Sequence, residues 1–329
     1  MTEERQQELK KLLVSNDFQV EKYKELDMQE IIILCQTGRS LMEQNKEDEN
    51  AFKFFETKSK FLYNVVLEKL KVLEEMFVLF SKGTNMPYIH CDEETFNDQV
   101  FIFSREQFAQ REAAKLNEEK NPVQIIKFNK DQFLGFYINL FPMGANAVVI
   151  DHGVNSLEIQ LEELCKKPDY TNAPKEKIPV LNPELQLTAL YFMQELRRPV
   201  EKEEKQGLRE LEEEMLVNIR RGNYLVPIQF QELKEGEEEP KELTRDNKNI
   251  MVPFVKYENG DVYQPVFTDP GEFHKFNKEK KFRAIAMPFQ NLNKVVVEQA
   301  KGIVLNPMGF NLLLVKGQLN TKGEENGDK

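Results

Sequence analysis

Three short segments of this chain occur twice in the same order. EEMFVLFSKG at Glu74 to Gly83 returns as EEMLVNIRRG at Glu213 to Gly222. VFIFS at Val100 to Ser104 answers QPVFT at Gln264 to Thr268, and ANAVVID at Ala145 to Asp151 aligns without a gap with AKGIVLN at Ala300 to Asn306. A repeated order of helix, strand, strand, short helix and strand restricts the fold to two related modules on one chain. The length of 329 residues accommodates two modules of ordinary domain size. No nucleophile, metal cluster or phosphate loop occurs in both copies, so the duplication by itself names no chemistry.

Periodicity fills in the elements. Glu3 to Ser15 carries Leu9, Leu12 and Leu13 on one side, and Met28 to Gln44 has a broad apolar face that includes Ile31, Ile32, Cys35 and Leu41. From Ala51 to Phe80, Phe55, Leu62, Val66, Leu70, Leu73, Met76, Phe77 and Phe80 recur at helical spacing, which predicts one long amphipathic helix closed by Gly83. Beyond it, Met86 to Cys91 and Gln99 to Phe103 flank the polar DEETFND as a hairpin. Ser104 is placed to cap a short helix from Arg105 to about Leu116. Val123 to Phe128 reads as a strand, Asp131 to Leu140 as a helix, and Ala147 to Asp151 and Ser156 to Ile159 as strands around an HGVN turn. In the second copy, helices Glu184 to Arg198 and Lys202 to Arg221 precede a strand Tyr224 to Phe230, a polar insertion, and strands Ile250 to Tyr257 and Val262 to Phe267. Asn259-Gly260 between the last two predicts a two-residue turn with positive φ at both positions. The connections are too short for uniform crossover units. The expected fold is therefore α+β: two related modules, each a mixed β-sheet with packed helices, preceded by an N-terminal helical region. The boundaries expected are residues 1–73 for the helical region, 74–167 for the first module, 168–183 for a linker, 184–320 for helices and the second module, and 321–329 for a disordered tail.

Composition narrows the class. The formal charge of −11, with acid concentrated at Glu201 to Glu214 and in GEEEP at Gly236 to Pro240, repels phosphate backbones. Nucleic acid is not an expected ligand, whereas a protein partner is. No apolar run approaches the roughly 18 residues of a membrane span, and MTEERQQELKK lacks the apolar core of a secretory signal. Cys35, Cys91 and Cys165 are odd in number and far apart, which fits reduced thiols and a cytoplasmic location.

The run VPFVKYENGDVYQPVFTDPGEF, the strand RAIAMPF and the run KGIVLNPMGFNLLL together resemble the N-terminal domain of the SseB family, named for enhanced serine sensitivity. The resemblance spans Tyr224 to Val315 and rests on two turns, Phe267-Thr268-Asp269 and Asn306-Pro307-Met308-Gly309. Over Glu74 to Leu161 it is weaker. Arg105 stands where the aspartate belongs, Asp151-His152-Gly153 replaces the Asn-Pro turn, and Asn155 matches the later asparagine. The resemblance implies a mixed α+β domain in a cytoplasmic bacterial protein, present twice, and carries no catalytic residue with it.

The residues themselves give these turns roles. Thr268 or Asp269 before Pro270 is an N-cap arrangement that needs no ligand. In the other turn Asn306 can bond its own backbone, Pro307 fixes φ, and Gly309 is expected to need a positive φ or a close backbone approach. Equally, Thr268, Asp269, Asn306, Pro307, Gly309 and Asn311 are candidate binding residues at one sheet end, where free amides at a helix start could hold a small anionic ligand. Lys256 and Tyr257 could sit beside them. His90, His152 and His274 lack partners at metal-ligand spacing, and His90-Cys91 would point to opposite faces of a strand, so neither metal nor catalytic residue nor cofactor is expected. GxGxxG and GxxxxGK are absent from the sequence. Two readings follow. One is a non-catalytic, cytosolic binding or regulatory protein in which the second module reads the ligand and the first is structural. The alternative is a small-molecule enzyme assembled around Lys256, Asp269 and Asn306.

Overall fold

The computed structural model describes residues 2–174, 177–230 and 250–320. It begins with α1 (Glu3–Val14), α2 (Val20–Lys24), α3 (Met28–Gln44) and α4 (Glu49–Val72). Asp27 and Glu30 close a reciprocal capping box on α3, and Asp48 accepts the Asn50 and Ala51 amides at the start of α4. The first sheet follows as β1 (Glu75–Ser81), β2 (Met86–Pro87), β3 (Ile89–Cys91), β4 (Asp98–Phe103), α5 (Glu106–Glu118), β5 (Val123–Asn129), α6 (Phe133–Met143), β6 (Ala147–Ile150), β7 (Leu157–Gln160) and the short α7 (Leu161–Leu164). The helix pair α8 (Pro183–Leu196) and α9 (Leu208–Arg221) then leads into β8 (Asn223–Phe230), β9 (Ile250–Met251), β10 (Val255–Lys256), β11 (Val262–Val266), α10 (Pro270–Phe276), β12 (Arg283–Pro288), α11 (Phe289–Val295), β13 (Gly302–Leu305) and β14 (Leu312–Val315).

Strand pairing shows that the two halves are related. In the first, the order is β5-β1-β4-β6-β7, with β1 antiparallel to β5 and β4, β4 parallel to β6, and β6 antiparallel to β7. In the second, the order β12-β8-β11-β13-β14 has the same orientations, β8 reaching β11 through the antiparallel bridge of Leu225 with Phe267. Short strands decorate the same partners, β2 and β3 on β1 and β4, and β9 and β10 on β8 and β11. A helix pair precedes each sheet, and a helix follows each of the second and third main strands in chain order. The fold is α+β, with two related mixed sheets and an N-terminal helical region.

The long helix expected from Ala51 to Phe80 ends at Val72, and Met76, Phe77 and Phe80 belong to β1. The cause is burial on both faces. Met76 and Val78 join the main core with Val100, Ile102, Val148 and Ile150, while Phe77 and Leu79 pack with Phe101 and Phe103 beneath Ala109, Ala113 and Leu116 of α5. A strand covered on both sides shows no alternation, so its apolar run merely extends the helical spacing before it. Consequently EEMFVLFSKG is a strand and EEMLVNIRRG lies in α9, and these two segments are not structural equivalents. The equivalents are β1 and β8. The other two alignments do pair matching strands, β4 with β11 and β6 with β13.

Several local expectations change as well. Arg105, not Ser104, is the N-cap residue of α5, because Ser104 is engaged elsewhere. The segment from Ile250 to Tyr257 breaks into β9 and β10 around Pro253, which has no N–H for a ladder. Only Gly260 in the following loop has positive φ, 84°, and Tyr257 N–H meets the Asp261 carbonyl at 2.9 Å, giving a longer loop with a left-handed glycine. Helix α9 starts at Leu208, after left-handed Gly207. The insertion at 232–248 and the tail at 321–329 lie outside the described residues. Among the described residues no helix is long and apolar enough to cross a membrane, and Cys35, Cys91 and Cys165 are free thiols.

The N-terminal helices are held by a buried cation. Lys58 of α4 is fully buried, and its ammonium donates to the Ser15 and Asp17 carbonyls (3.0 and 2.7 Å) and to Tyr23 Oη (2.6 Å). Phe18, Tyr23 and Phe61 place their rings 4.7, 5.0 and 5.8 Å from it. Lys58→Ala strands these carbonyls and is expected to cost about 2–4 kcal/mol in chemical denaturation. A variant as stable as the parent would show that the α1–α2 connection is anchored by other contacts.

Candidate functional site

Strands β11 and β13 run parallel and end side by side at Val266 and Leu305. Each chain must then turn away, leaving backbone groups without ladder partners. Asn306 takes the left-handed conformation, φ 48°, which its short polar side chain tolerates. Its Oδ1 accepts the Thr268 N–H at 3.0 Å and its Nδ2 donates to Thr268 Oγ1 at 2.7 Å. Thr268 Oγ1 donates in turn to Asp269 Oδ2 at 2.8 Å. Asp269 Oδ1 caps α10 by accepting the Gly271 and Glu272 amides at 2.7 and 3.0 Å, with Pro270 in the first helical position. From α8, Gln186 Nε2 donates to Asp269 Oδ2 at 2.6 Å.

Thr268, Asp269 and Asn306 are thus brought together and buried, with their polar atoms spent on one another. The α10 amides expected to be free for an anion are occupied by Asp269. Asn306 reaches across to Thr268 rather than bonding its own backbone. Pro307 is half-buried, and Met308 at the tip is exposed. Gly309 has no positive φ; the left-handed positions are Asn306 and Asn311. Glycine suits the position for the other reason, because a Cβ at Gly309 would lie 2.7 Å from the buried Glu272 Oε2 and the carboxylate would have to shift. Asn311 accepts Tyr257 Oη at 2.6 Å on its side chain and Arg197 Nη2 at 2.9 Å on its carbonyl, and the same guanidinium reaches the Gly83 carbonyl. Asn311 therefore helps hold Arg197, which in turn reaches the first module at Gly83. Lys256 pairs with Val262 at the start of β11, roughly 20 Å of extended chain from Thr268. The enzyme site expected from Lys256, Asp269 and Asn306 does not assemble.

The first module solves the same problem with different residues. Asp151 ends β6 at φ 55°, its Oδ1 accepts the Ser104 N–H and its Oδ2 the Ser104 hydroxyl, both at 2.7 Å. Gln29 of α3 donates to the same carboxylate at 2.7 Å. One buried aspartate here does the work of Asn306 and Asp269 together, which explains why Arg105 can replace the second acid. Burial raises the Asp151 carboxyl above its ordinary value, against the pull of the Ser104 and Gln29 donors. The glutamines differ in one respect. Gln29 Oε1 accepts the Asn155 side-chain amide at 3.0 Å and the Asn155 N–H at 3.3 Å. Gln186 Oε1 has no donor among the described residues.

Gln186 lines a cavity of about 740 Å³ between the modules. Phe80, Phe128, Phe136, Leu140 and Met143 form the wall from the first module, and Asp269, Glu272, His274, Lys275 and Met308 that from the second. Because a carboxylate only accepts, Asp269 fixes which end of the Gln186 amide carries nitrogen and leaves Oε1 as an acceptor. Glu272, 3% exposed, gives Oε1 to Lys275, while its Oε2 has no donor among the described residues. Burial pushes the Glu272 carboxyl up, opposed by Lys275. Lys275 also approaches Met86 Sδ of the first module at 3.3 Å. The sequence gives no sign of this cavity. Its aromatic wall is indistinguishable from core residues, and a single glutamine in a helix carries no signal. Among the described residues no group of three or more His, Cys, Asp or Glu is placed to hold a metal ion.

Residues 204–320 match the family model of the SseB protein N-terminal domain, the resemblance read from this stretch of sequence. The match covers the second sheet together with α9. Among solved structures, Tic22 from Plasmodium falciparum is similar at 13% identity, over 73% of this chain and 90% of that one, with a TM-score of 0.19. Among curated proteins none matches this sequence.

Two outcomes are expected at the turns. Asp151→Asn keeps an acceptor for the Ser104 N–H but sets an amide nitrogen against Gln29 Nε2, and should cost about 1–2 kcal/mol at neutral pH, whereas Asp151→Ala should lose about 2–4 kcal/mol. Since the folded carboxyl titrates above its ordinary value, the fold favours the protonated form. That stabilisation is complete below the unfolded value and is lost as pH rises through the folded one. Denaturation curves should therefore shift in favour of Asp151→Asn as pH rises above the ordinary carboxylate range; a pH-independent difference would refute the assignment. At the other turn, Gly309→Val should cost about 1–3 kcal/mol, and Glu272→Ala should recover part of that loss in a double-mutant cycle. Strict additivity would show that the carboxylate is not what the side chain meets.

Proposed function

We propose that this is a non-catalytic binding protein whose ligand occupies the cavity between the two modules. The observation that carries the reading is the contrast between the two glutamines. The same device, a helix glutamine holding the acid of a strand-end latch, is completed by Asn155 in the first module and left with an unpaired buried oxygen in the second. Buried polar groups in native folds are normally satisfied, and the exceptions concentrate at sites of function. Gln186 also borders a cavity of about 740 Å³, inside the range that takes small molecules.

The division of labour is a polar reader and an apolar wall. The second module, 184–320, supplies Gln186, Glu272 and Lys275. The first, 74–167, supplies Phe80, Phe128 and Phe136, and its own latch is closed. Shared strand order supports an origin by duplication, with the first module a divergent copy. Three free thiols support a reducing compartment such as the cytoplasm.

Phenylnaphthylamine, a neutral fluorophore with one N–H donor, serves as the probe. Wild type is expected to bind it saturably with blue-shifted emission. Gly135 of α6 lines the cavity, and a Cβ there would meet nothing within 4 Å. Gly135→Trp should fill the space while leaving the melting temperature unchanged or raised, because the helix loses a glycine. Dye binding that is absent in the wild type, or unaffected by this substitution, would overturn the reading.

A further inference from the structure

We propose that the cavity takes an uncharged, largely apolar small molecule, and that its polar wall selects by refusing charge of either sign. The inference rests on the reading of the cavity as a binding site and adds the chemical class of the ligand.

A charged head that enters the cavity gives up water and needs a partner of opposite sign. The charged groups on the second module's wall are already committed to one another. Asp269 accepts four hydrogen bonds, from the Gly271 and Glu272 amides on Oδ1 and from Thr268 Oγ1 and Gln186 Nε2 on Oδ2, which fills the acceptor capacity of a carboxylate. Glu272, 3% exposed, receives Lys275 on Oε1, and its Oε2 is buried against Gly309. A cationic ligand therefore finds no carboxylate oxygen to receive it. The ammonium of Lys275 holds Glu272 and approaches Met86 Sδ at 3.3 Å. An anionic ligand would have to draw it away, and a buried carboxylate that loses its partner is costly. Gln186 Oε1 is itself buried, and His274, the remaining titratable residue of the lining, is exposed to water.

The rest of the lining favours an apolar body. Phe80 and Phe128 stack with centroids 6.2 Å apart, Phe128 and Phe136 lie 4.8 Å apart, and Met86, Met143 and Met308 add soft, adaptable surface. The polar side chains on the first module's side, Asn85, Gln132 and Asn139, are neutral. A volume of about 740 Å³ holds a whole small molecule and not merely the tip of one side chain. The wall of the second module thus reads its ligand by the penalty it sets on the wrong ones.

The test measures displacement of phenylnaphthylamine from the full-length protein by octanol, octanoate and octylammonium, which share one body and differ only in the head. Octanol is expected to displace the dye at a concentration at least about tenfold below that of either ion. Across butanol, hexanol and octanol, potency should rise about fourfold per methylene as each one is buried. Lys275→Ala should leave octanoate no weaker relative to octanol than in the parent, and the octanol response itself reports that the cavity of the variant is intact. Either ion matching or surpassing octanol, potency independent of chain length, or a loss confined to octanoate in Lys275→Ala would overturn the inference. The wild-type ranking needs no variant, so a folding defect in Lys275→Ala does not shelter the proposal. Failure of the dye to bind at all defeats the cavity reading, whereas dye binding without a preference for the uncharged head defeats only this one.

Discussion

Two parallel strands that end together face a problem that their ladder cannot solve. Beyond the last residue of each, the chain must leave the sheet, and the next amide loses its partner. In this protein a left-handed Asx residue supplies the missing acceptor: Asn306 takes the Thr268 N–H and Asp151 the Ser104 N–H. The rest of the architecture depends on that latch. The side chains it gathers start α10, receive a glutamine from the preceding helix pair, and so dock helices to sheet through hydrogen bonds rather than through apolar contact alone. The glycine in each turn belongs to the same solution. A Cβ at Gly309 or Gly153 would press on the buried carboxylates of Glu272 or Glu112 at 2.7 and 2.3 Å.

Parts of this are legible in the amino-acid sequence alone. VFIFS with QPVFT and ANAVVID with AKGIVLN mark β4 with β11 and β6 with β13, because strands in equivalent, doubly covered positions keep the same apolar run and end at the same polar residue. Thr268, Asp269 and Asn306 can be picked as a cluster since turn residues at the ends of neighbouring parallel strands must meet. Their employment is not legible. Whether Asp269 holds a ligand or caps a helix depends on Gln186, more than eighty residues earlier in the chain and silent in sequence. EEMFVLFSKG and EEMLVNIRRG show the converse failure. Similar strings fold as strand and helix because tertiary burial, not local propensity, decides the state of a short apolar segment. Gly309 is a constrained position, as its place in the turn implies, but through close approach and not through φ. Only the placement of Glu272 distinguishes those causes.

The cavity is harder still to read from sequence, since it is a property of the space between two modules. Phe80, Phe128 and Phe136 satisfy every criterion of a core residue, and it is the position of the second module, tied through Arg197 to the Gly83 and Asn311 carbonyls, that leaves them lining a void.

An unpaired oxygen in one buried glutamine could be taken as the cost of an imperfect fold, and a single-copy protein would offer no way to decide. The comparison of the two sheets does. Gln29 and Gln186 descend from equivalent helices onto equivalent latches, and in the first module the asparagine four residues beyond the left-handed aspartate closes the circuit with both its side-chain and main-chain nitrogens. The topology therefore permits full satisfaction. In the second module the corresponding asparagine, Asn311, meets Tyr257 and Arg197 instead, and Gln186 Oε1 is left without a donor among the described residues. A defect imposed by the fold would recur in both copies. This one occurs only in the second module, on a residue that borders the cavity.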